Sequence, residues 1–316
     1  MTGLPSDAAL AKALAAVFGN GDRTVRVISR KPGPRSSTFP SEILVCEHTG
    51  DGEFELFCKY GGGVSHASFG HRGDVAYEAS VYRRLLLDLP LRVPRFCGAY
   101  SLNGASEVWL FLEHVAGAQV VDAAPDPHSA LARAGGWIGR FHRILAGRDA
   151  PAEFRRYDAG YYAQWARRTK KLAASTWNGR LPWLPELCSR AEEFADELAA
   201  SSRAVVHGEY TPHNVLVRDG EVCPIDWESA AVGLAEIDLV SLVDKWPEDV
   251  AERCEQAYVH ARWGEGAPSE FGGRLDMARL YWDLRWLGDR AEWTRSEKVG
   301  PRFEHLRATG ERLGLL

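Results

Sequence analysis

Val205-Val206-His207-Gly208-Glu209-Tyr210-Thr211-Pro212-His213-Asn214-Val215-Leu216-Val217, then Arg218-Asp219-Gly220-Glu221, then Val222-Cys223-Pro224-Ile225-Asp226-Trp227-Glu228 is the stretch whose reading decides the fold. Two short apolar runs flank Asp219-Gly220, a dipeptide that favours the tight turn of a β-hairpin. Asn214 enters that hairpin, Asp226 leaves it, and Glu209 stands in the loop before it. The pattern predicts that the hairpin folds Asn214 and Asp226 back to the same end. Two carboxylates and an amide oxygen suit a hard cation such as Mg2+, which takes one or two protein oxygens and leaves the rest to phosphates and water. The remaining carboxylate is suited to receive a proton from an attacking hydroxyl.

Upstream, the segments Thr24–Ser29, Ser41–His48 and Glu53–Tyr60 alternate apolar and polar residues as half-buried strands do. A helix is expected from Gly73 to Leu87 with Asp74 as its N-cap, followed by strands at Phe96–Ser101 and Val108–Glu113. An N-terminal helix is expected over Ser6–Phe18, capped by Ser6. Beyond Gly117 the periodicity becomes helical over Ser129–Leu145, Pro185–Ser201, Val250–Arg262, Pro268–Leu287 and Ser296–Leu313. A β island at Ala204–Val206 and Val215–Ile225 interrupts it. The expected class is therefore α+β with two lobes: a small antiparallel β-rich lobe over 1–113 with one key helix, and a helical lobe over 114–316.

The bulk numbers narrow the function. A chain of 316 residues with 45% hydrophobic and 26% charged residues is ordinary for a globular protein of more than one core. A net charge of −5 gives no basic excess for tracking a nucleic-acid backbone, so no nucleic-acid partner is expected. No run of 18 uncharged apolar residues is present, so no membrane partner is expected either. The six cysteines are scattered without a CxxC pair and read as reduced thiols in a cytoplasmic protein.

The spacing His207-Gly208-Glu209-x4-Asn214, a hairpin, then Asp226 resembles the aminoglycoside phosphotransferase and choline kinase-like family, relatives of the protein kinases. The order of lobes and Ile237-Asp238-Leu239 agree with it. The resemblance covers roughly residues 23 to 290 and is sharp over 205–240. It implies a two-lobed protein-kinase-like fold and phosphoryl transfer from ATP or GTP, with Mg2+, to a hydroxyl of a small molecule. Asp226 and Asn214 would then hold the metal. Glu209 would stand where the family's aspartate orients the acceptor hydroxyl, and His207 and Asp238 would brace the loop. Glu228 matches an acidic residue of the choline-kinase-like members.

Kinase-like catalysis also needs a lysine on the third strand, paired with a helix glutamate and holding the α- and β-phosphates. Lys59 and Glu78 stand at those places. Ser36, Ser37 and Thr38, between the first two strands, offer hydroxyls and N–H groups to phosphates in place of a glycine-rich loop. Glu113 and Val115 begin the connector that, in the family, presents backbone groups to the nucleobase.

The departure is Glu209, one methylene longer than the family aspartate. Transfer depends mainly on positioning and charge neutralisation, so activity is expected, with a silent nucleotide-binding protein as the alternative. The acceptor is expected to be an antibiotic or natural product, or else choline, an amino sugar or a similar metabolic alcohol. Trp263, Tyr281, Trp282, Trp286 and Trp293, with Asp276, Asp283, Asp289 and Glu292, read first as a core stripe and second as a receptor for a cationic acceptor. Arg167, Arg168, Lys170 and Lys171 read as a solvated helix face. His207-x-Glu209 lacks the following P-C-x-x-C of a zinc deaminase.

Overall fold

The computed structural model describes residues 4–19, 24–33, 39–48, 52–62, 71–102, 107–177 and 179–316. The chain divides into two units, one of residues 1–118 with 223–229, the other of residues 119–222 with 230–316.

The first unit is built on a helix α1 (Asp7–Phe18) and strands β1 (Val25–Pro32), β2 (Ser41–His48) and β3 (Gly52–Tyr60). Helix α2 (Val75–Val81) and strands β4 (Phe96–Ser101) and β5 (Val108–Glu113) complete it. The five strands form one antiparallel sheet in the order β1-β2-β3-β5-β4. Leu44, Cys46, Leu56, Cys58 and Phe111 cluster with Leu10 and Leu14 of α1. Burial of each such leucine contributes roughly 1.5–3 kcal/mol. Ser6 caps α1 by accepting the Ala9 N–H at 3.3 Å, and Asp74 caps α2 by accepting the Tyr77 N–H at 2.8 Å. The helix expected to run to Leu87 changes pitch on the way. Over Tyr82–Leu86 it widens to a π turn, with the Leu87 N–H reaching the Tyr82 carbonyl at 3.0 Å.

The second unit contains β6 (Gln119–Val120), α3 (Pro127–Leu145), α4 (Ala159–Trp177), α5 (Leu184–Glu193), α6 (Ala195–Ser201), β7 (Ala204–Val206) and β8 (Val215–Arg218). Strand β9 (Glu221–Pro224) begins in it. After the excursion to the first unit come β10 (Ala231–Gly233), α7 (Glu236–Val243), α8 (Glu248–Trp263), α9 (Phe271–Asp289), the single turn α10 (Ala291–Thr294) and α11 (Gly300–Arg312). The expected hairpin turn forms as its residue types require: Asp219 and Gly220 both take positive φ, 50° and 81°.

Glycine spacing sets how closely α3 approaches α8. A Cβ at Gly135 or Gly139 of α3 would lie 2.6 Å from the Cys254 or Tyr258 carbonyl oxygen of α8, so only glycine permits this approach. The approach brings Tyr258 to His142, which matters for the site below. The helix expected over Pro185–Ser201 is two helices, because the Phe194 carbonyl accepts both Glu197 and Leu198 N–H groups and the axis resets there. The basic run is not wholly solvated. Arg168 turns inward, and its Nε donates to the Gly288 carbonyl at 2.7 Å, tying α4 to α9. Among the described residues no helix is long and apolar enough to cross a membrane, and all six cysteines are free thiols.

Candidate active site

Lys59 is the charged centre of the first unit. It ends β3 paired with Leu110 of β5, and it is 3% exposed. An ammonium has three N–H donors, and here three carboxylates receive them. Nζ donates to Glu78 Oε2 at 2.7 Å, to Glu228 Oε2 at 3.0 Å, and to Asp226 Oδ1 in a shorter contact. Glu78 is fixed in turn, since its Oε1 accepts the Trp227 N–H at 3.1 Å. The Gly73 N–H binds the Glu228 carbonyl at 2.6 Å, and Arg72 Nε lies 3.9 Å from Glu228 Oε1.

Acid outnumbers base in this cluster, and the protonation equilibria show it. Burial, reinforced by the Asp226 charge, raises Glu228 to about 8 against the pull of Lys59. Burial also raises Glu78. Burial alone would depress Lys59, but Asp226, Glu78 and Glu228 outweigh it and hold the ammonium well above its ordinary value. One oxygen each from Glu78, Asp226 and Glu228 lies within 4.8 Å of the others. Hard oxygen donors in excess of positive charge fit a divalent cation such as Mg2+. Asp226 is the most exposed of the three and takes φ 68°, a left-handed conformation costing on the order of 1–3 kcal/mol. Such strain is characteristic of functional positions.

In the second unit the loop 207–214 is held from behind by Asp238 at the start of α7. Its two oxygens accept the His207 N–H at 2.8 Å and the Gly208 N–H at 2.9 Å. Gly208 takes φ 81°, so the glycine of the His-Gly-Glu triplet is required by the turn. His142 of α3 reaches Asp238 Oδ2 through Nε2 at 3.2 Å, with Tyr258 at its Nδ1 at 3.0 Å. Burial keeps this imidazole below its ordinary value despite Asp238, so it is neutral and donates from Nε2. Asn214 Nδ2 donates to the Glu209 carbonyl at 3.0 Å, closing the loop on itself.

The Glu209 carboxylate, 6% exposed as a residue, forms a short ion pair with Arg285 Nη2 of α9. Burial would lower Arg285, but Glu209 outweighs it and raises the guanidinium above its already high value. Removing either member of such a pair leaves a buried charge and costs about 3–5 kcal/mol. Sequence reasoning did not find Arg285. It sits among tryptophans on a helix, and nothing local distinguishes it from the other arginines of that segment.

The remaining expected residues are placed as follows. Glu113 ends β5, where Arg92 and the Arg95 N–H grip its carboxylate. Burial would raise it, and those donors lower it instead. Val115 is buried in the connector that follows. Ser36, Ser37 and Thr38 lie outside the described residues. Structure therefore brings Lys59, Glu78, Asp226 and Glu228 into one cluster, and His207, Glu209 and Asn214 into one loop braced by Asp238 of α7. Glu113 and Val115 belong to neither. Of the acids considered for a cationic acceptor, Asp276 is bound by Arg279 and Arg312, and Asp283 by Arg302 and His305. Trp282 is core, 4% exposed.

An antiparallel five-stranded lobe with a lysine–glutamate pair and a helical lobe with a braced His-Gly-Glu loop define a protein-kinase-like phosphotransferase. The chain belongs to the phosphotransferase enzyme family, APH, which matches residues 63–271. It is thus an enzyme of the small-molecule kinase type. Among solved structures it is similar to choline kinase LicA from Streptococcus pneumoniae, at 13% identity over 98% of this chain and 99% of that one, with a TM-score of 0.58. It is also similar to spectinomycin phosphotransferase APH(9)-Ia in complex with ADP and spectinomycin (14%, 98% and 95%, 0.57). A mutant of aminoglycoside 2'-phosphotransferase-IIIa bound to GDP aligns at 12%, 97% and 98%, with 0.60. At these identities the likeness is one of fold. No curated protein matches by sequence.

Proposed function

We propose that this enzyme transfers the terminal phosphoryl group of ATP or GTP to a hydroxyl of an antibiotic or other natural product, in the cytoplasm, with Mg2+. The observation that carries this reading is the Lys59 ammonium held by Glu78 and Asp226 at the centre of an acid-rich cluster. Lys59 is the group to hold the α- and β-phosphates, with Glu78 fixing its direction. Asp226 and Asn214 would hold the metal, and Glu228 offers a further carboxylate beside Asp226. The bound Mg2+ would neutralise charge on the phosphates. Ser36, Ser37 and Thr38 are proposed to cradle phosphates, and the Glu113–Val115 backbone to meet the nucleobase.

Glu209 orients the acceptor hydroxyl. As that oxygen bonds to the terminal phosphorus, the bond to the leaving diphosphate breaks and the hydroxyl proton passes to the Glu209 carboxylate. His207 and Asp238 keep the loop in shape for this.

A natural-product acceptor is favoured over choline or an amino sugar by the state of the acids in the C-terminal helices. Asp276 and Asp283 are paired with arginines and do not form an acidic receptor for a cation. The intact bracing of the Glu209 loop favours turnover over a silent nucleotide-binding role. The test is incubation of the protein with Mg2+ and ATP or GTP against a panel of hydroxylated antibiotics, sugars and amino alcohols. Mass spectrometry then seeks a product heavier by one HPO3. Nucleotide binding without any product across the panel, and without hydrolysis, refutes it.

A further inference from the structure

The first unit holds a cavity of about 240 Å3 between the end of α2, the loop 88–95 and strand β4. Its walls are Tyr82, Leu86, Leu89, Leu91 and Phe96, none of them assigned above to phosphate, metal or acceptor. The π turn over Tyr82–Leu86 supplies one of those walls. Such a turn takes an extra residue and widens the helix, and it recurs at functional sites. Arg92 holds the loop from the β5 side, gripping the Glu113 carboxylate while Nη1 also donates to the Val93 carbonyl at 2.6 Å. The loop is thus fixed by a bonded arginine, and the space beneath it is left open.

Tyr82 stands between this cavity and the Lys59 cluster. Its hydroxyl is fully buried among the fields of Glu78, Lys59 and Asp226, and has no hydrogen-bond partner among the described residues. An unbonded buried hydroxyl is a cost to the fold, and the ring is kept in place by packing, including its stack on Phe96 at 6.3 Å. At the mouth, Leu87 is 57% exposed and continues the apolar wall to the surface. The rim there is basic. Arg95 lines it, and the Arg83 guanidinium carbon lies 5.6 Å from the Phe96 ring centre. Neither arginine forms an ion pair among the described residues. Glu113 cancels Arg92, and Asp88 of the loop does not line the cavity. A cavity below the roughly 300 Å3 of a drug-sized site, apolar within and positive at its edge, suits a short chain ending in an anion. We propose that it binds a small amphipathic carboxylate, with the chain against Tyr82 and the leucines and the carboxylate at Arg95. Binding there requires no phosphoryl transfer.

The test titrates the full-length protein, carrying 13C-labelled leucine methyl groups, with octanoate, octanol, octylammonium and shorter carboxylates. Octanoate should bind one to one and shift the methyl signals of Leu86, Leu89 and Leu91. Each CH2 added from butanoate to octanoate should tighten binding about fourfold. Octanol should bind about fivefold more weakly than octanoate, the scale of one exposed ion pair. Arg95→Glu, a change at an exposed position, should reverse the preference in favour of octylammonium. Leu87→Glu should weaken octanoate from the other side of the mouth, and serves if Arg95→Glu does not fold. ADP with Mg2+ should leave octanoate bound. The proposal is overturned by an absence of binding, by affinity that ignores chain length or charge, or by shifts confined to leucines outside the cavity. Displacement of octanoate by ADP overturns it too, since the carboxylate would then occupy the nucleotide site.

Discussion

Two buried groups of charges, one in each unit, are balanced in opposite ways. Around Lys59 three carboxylates share a single ammonium, and burial pushes Glu228 up to about 8. Around Glu209 the carboxylate is paired with the Arg285 guanidinium, and Asp283 is bound by Arg302 and His305. A cluster with surplus acid is unfavourable by itself and becomes favourable when a cation arrives, which is the behaviour wanted of a metal–nucleotide site. A carboxylate paired with a buried guanidinium carries no such surplus. On the proposed function, the surplus is where the metal and nucleotide would supply or balance charge.

The largest effect is expected at the surplus. Asp226→Ala removes the exposed ligand of the cluster and should lower transfer by about 10³-fold or more, as seen when a main charge-stabilising group is lost, with the fold intact by circular dichroism. If transfer survives, the acid cluster is not the metal site. Lys59→Ala should lower kcat by about 10²-fold, a loss of the same electrostatic kind. It should also destabilise the apo protein by about 3–5 kcal/mol, because Glu78 and Glu228 lose the buried ammonium that bonds them both. Chemical denaturation with and without Mg2+ checks this, and Mg2+ should recover part of the loss.

At the balanced pair the expectation is different. Glu209→Gln should cut turnover sharply while nucleotide affinity stays unchanged, and should destabilise the protein by leaving Arg285 buried and uncompensated. Adding Arg285→Met to it should restore stability, since an apolar replacement of a whole ion pair is often neutral or better. Turnover should stay low. If the double variant melts below the single one, Arg285 has stabilising partners other than Glu209.

The smallest effect concerns His305, whose pairing with buried Asp283 raises its pKa above the ordinary value. A raised folded-state value means the stabilisation is fully present below about pH 6.5, the unfolded value. It disappears as pH rises through the folded value. His305 is half exposed, so His305→Gln should cost about 0.5 kcal/mol at pH 5.5 and nothing at pH 9. A gap between variant and wild type that is constant with pH would show that the imidazole charge is not involved.

Much of this architecture is legible in the chain itself. Strands Ser41–His48, Phe96–Ser101 and Val108–Glu113 are found with the expected bounds, because alternation of apolar residues fixes which face is buried. The caps at Ser6 and Asp74 follow from residue type alone. Helix α7 is not legible in the sequence, and of α4 only the basic run at 167–171 reads as a helix face. Helix α7 is buried on nearly all sides and shows no amphipathic stripe, whereas α4 buries Tyr162, Ala166, Thr169, Ala173 and Trp177 along one face, a stripe whose small and polar members hide it in the sequence. The return of 223–229 to the first unit was not visible either, since it depends on contacts far apart in sequence.

The sequence by itself determined the fold class and the loop of His207, Glu209 and Asn214, because spacing along a hairpin and strand order are local properties. Only the tertiary structure decided that Glu228 joins the Lys59 cluster and that Arg285 grips Glu209. Those are choices of charge partner across 169 and 76 residues. A buried charge selects its partner by distance in space, and no periodicity in the chain encodes that distance.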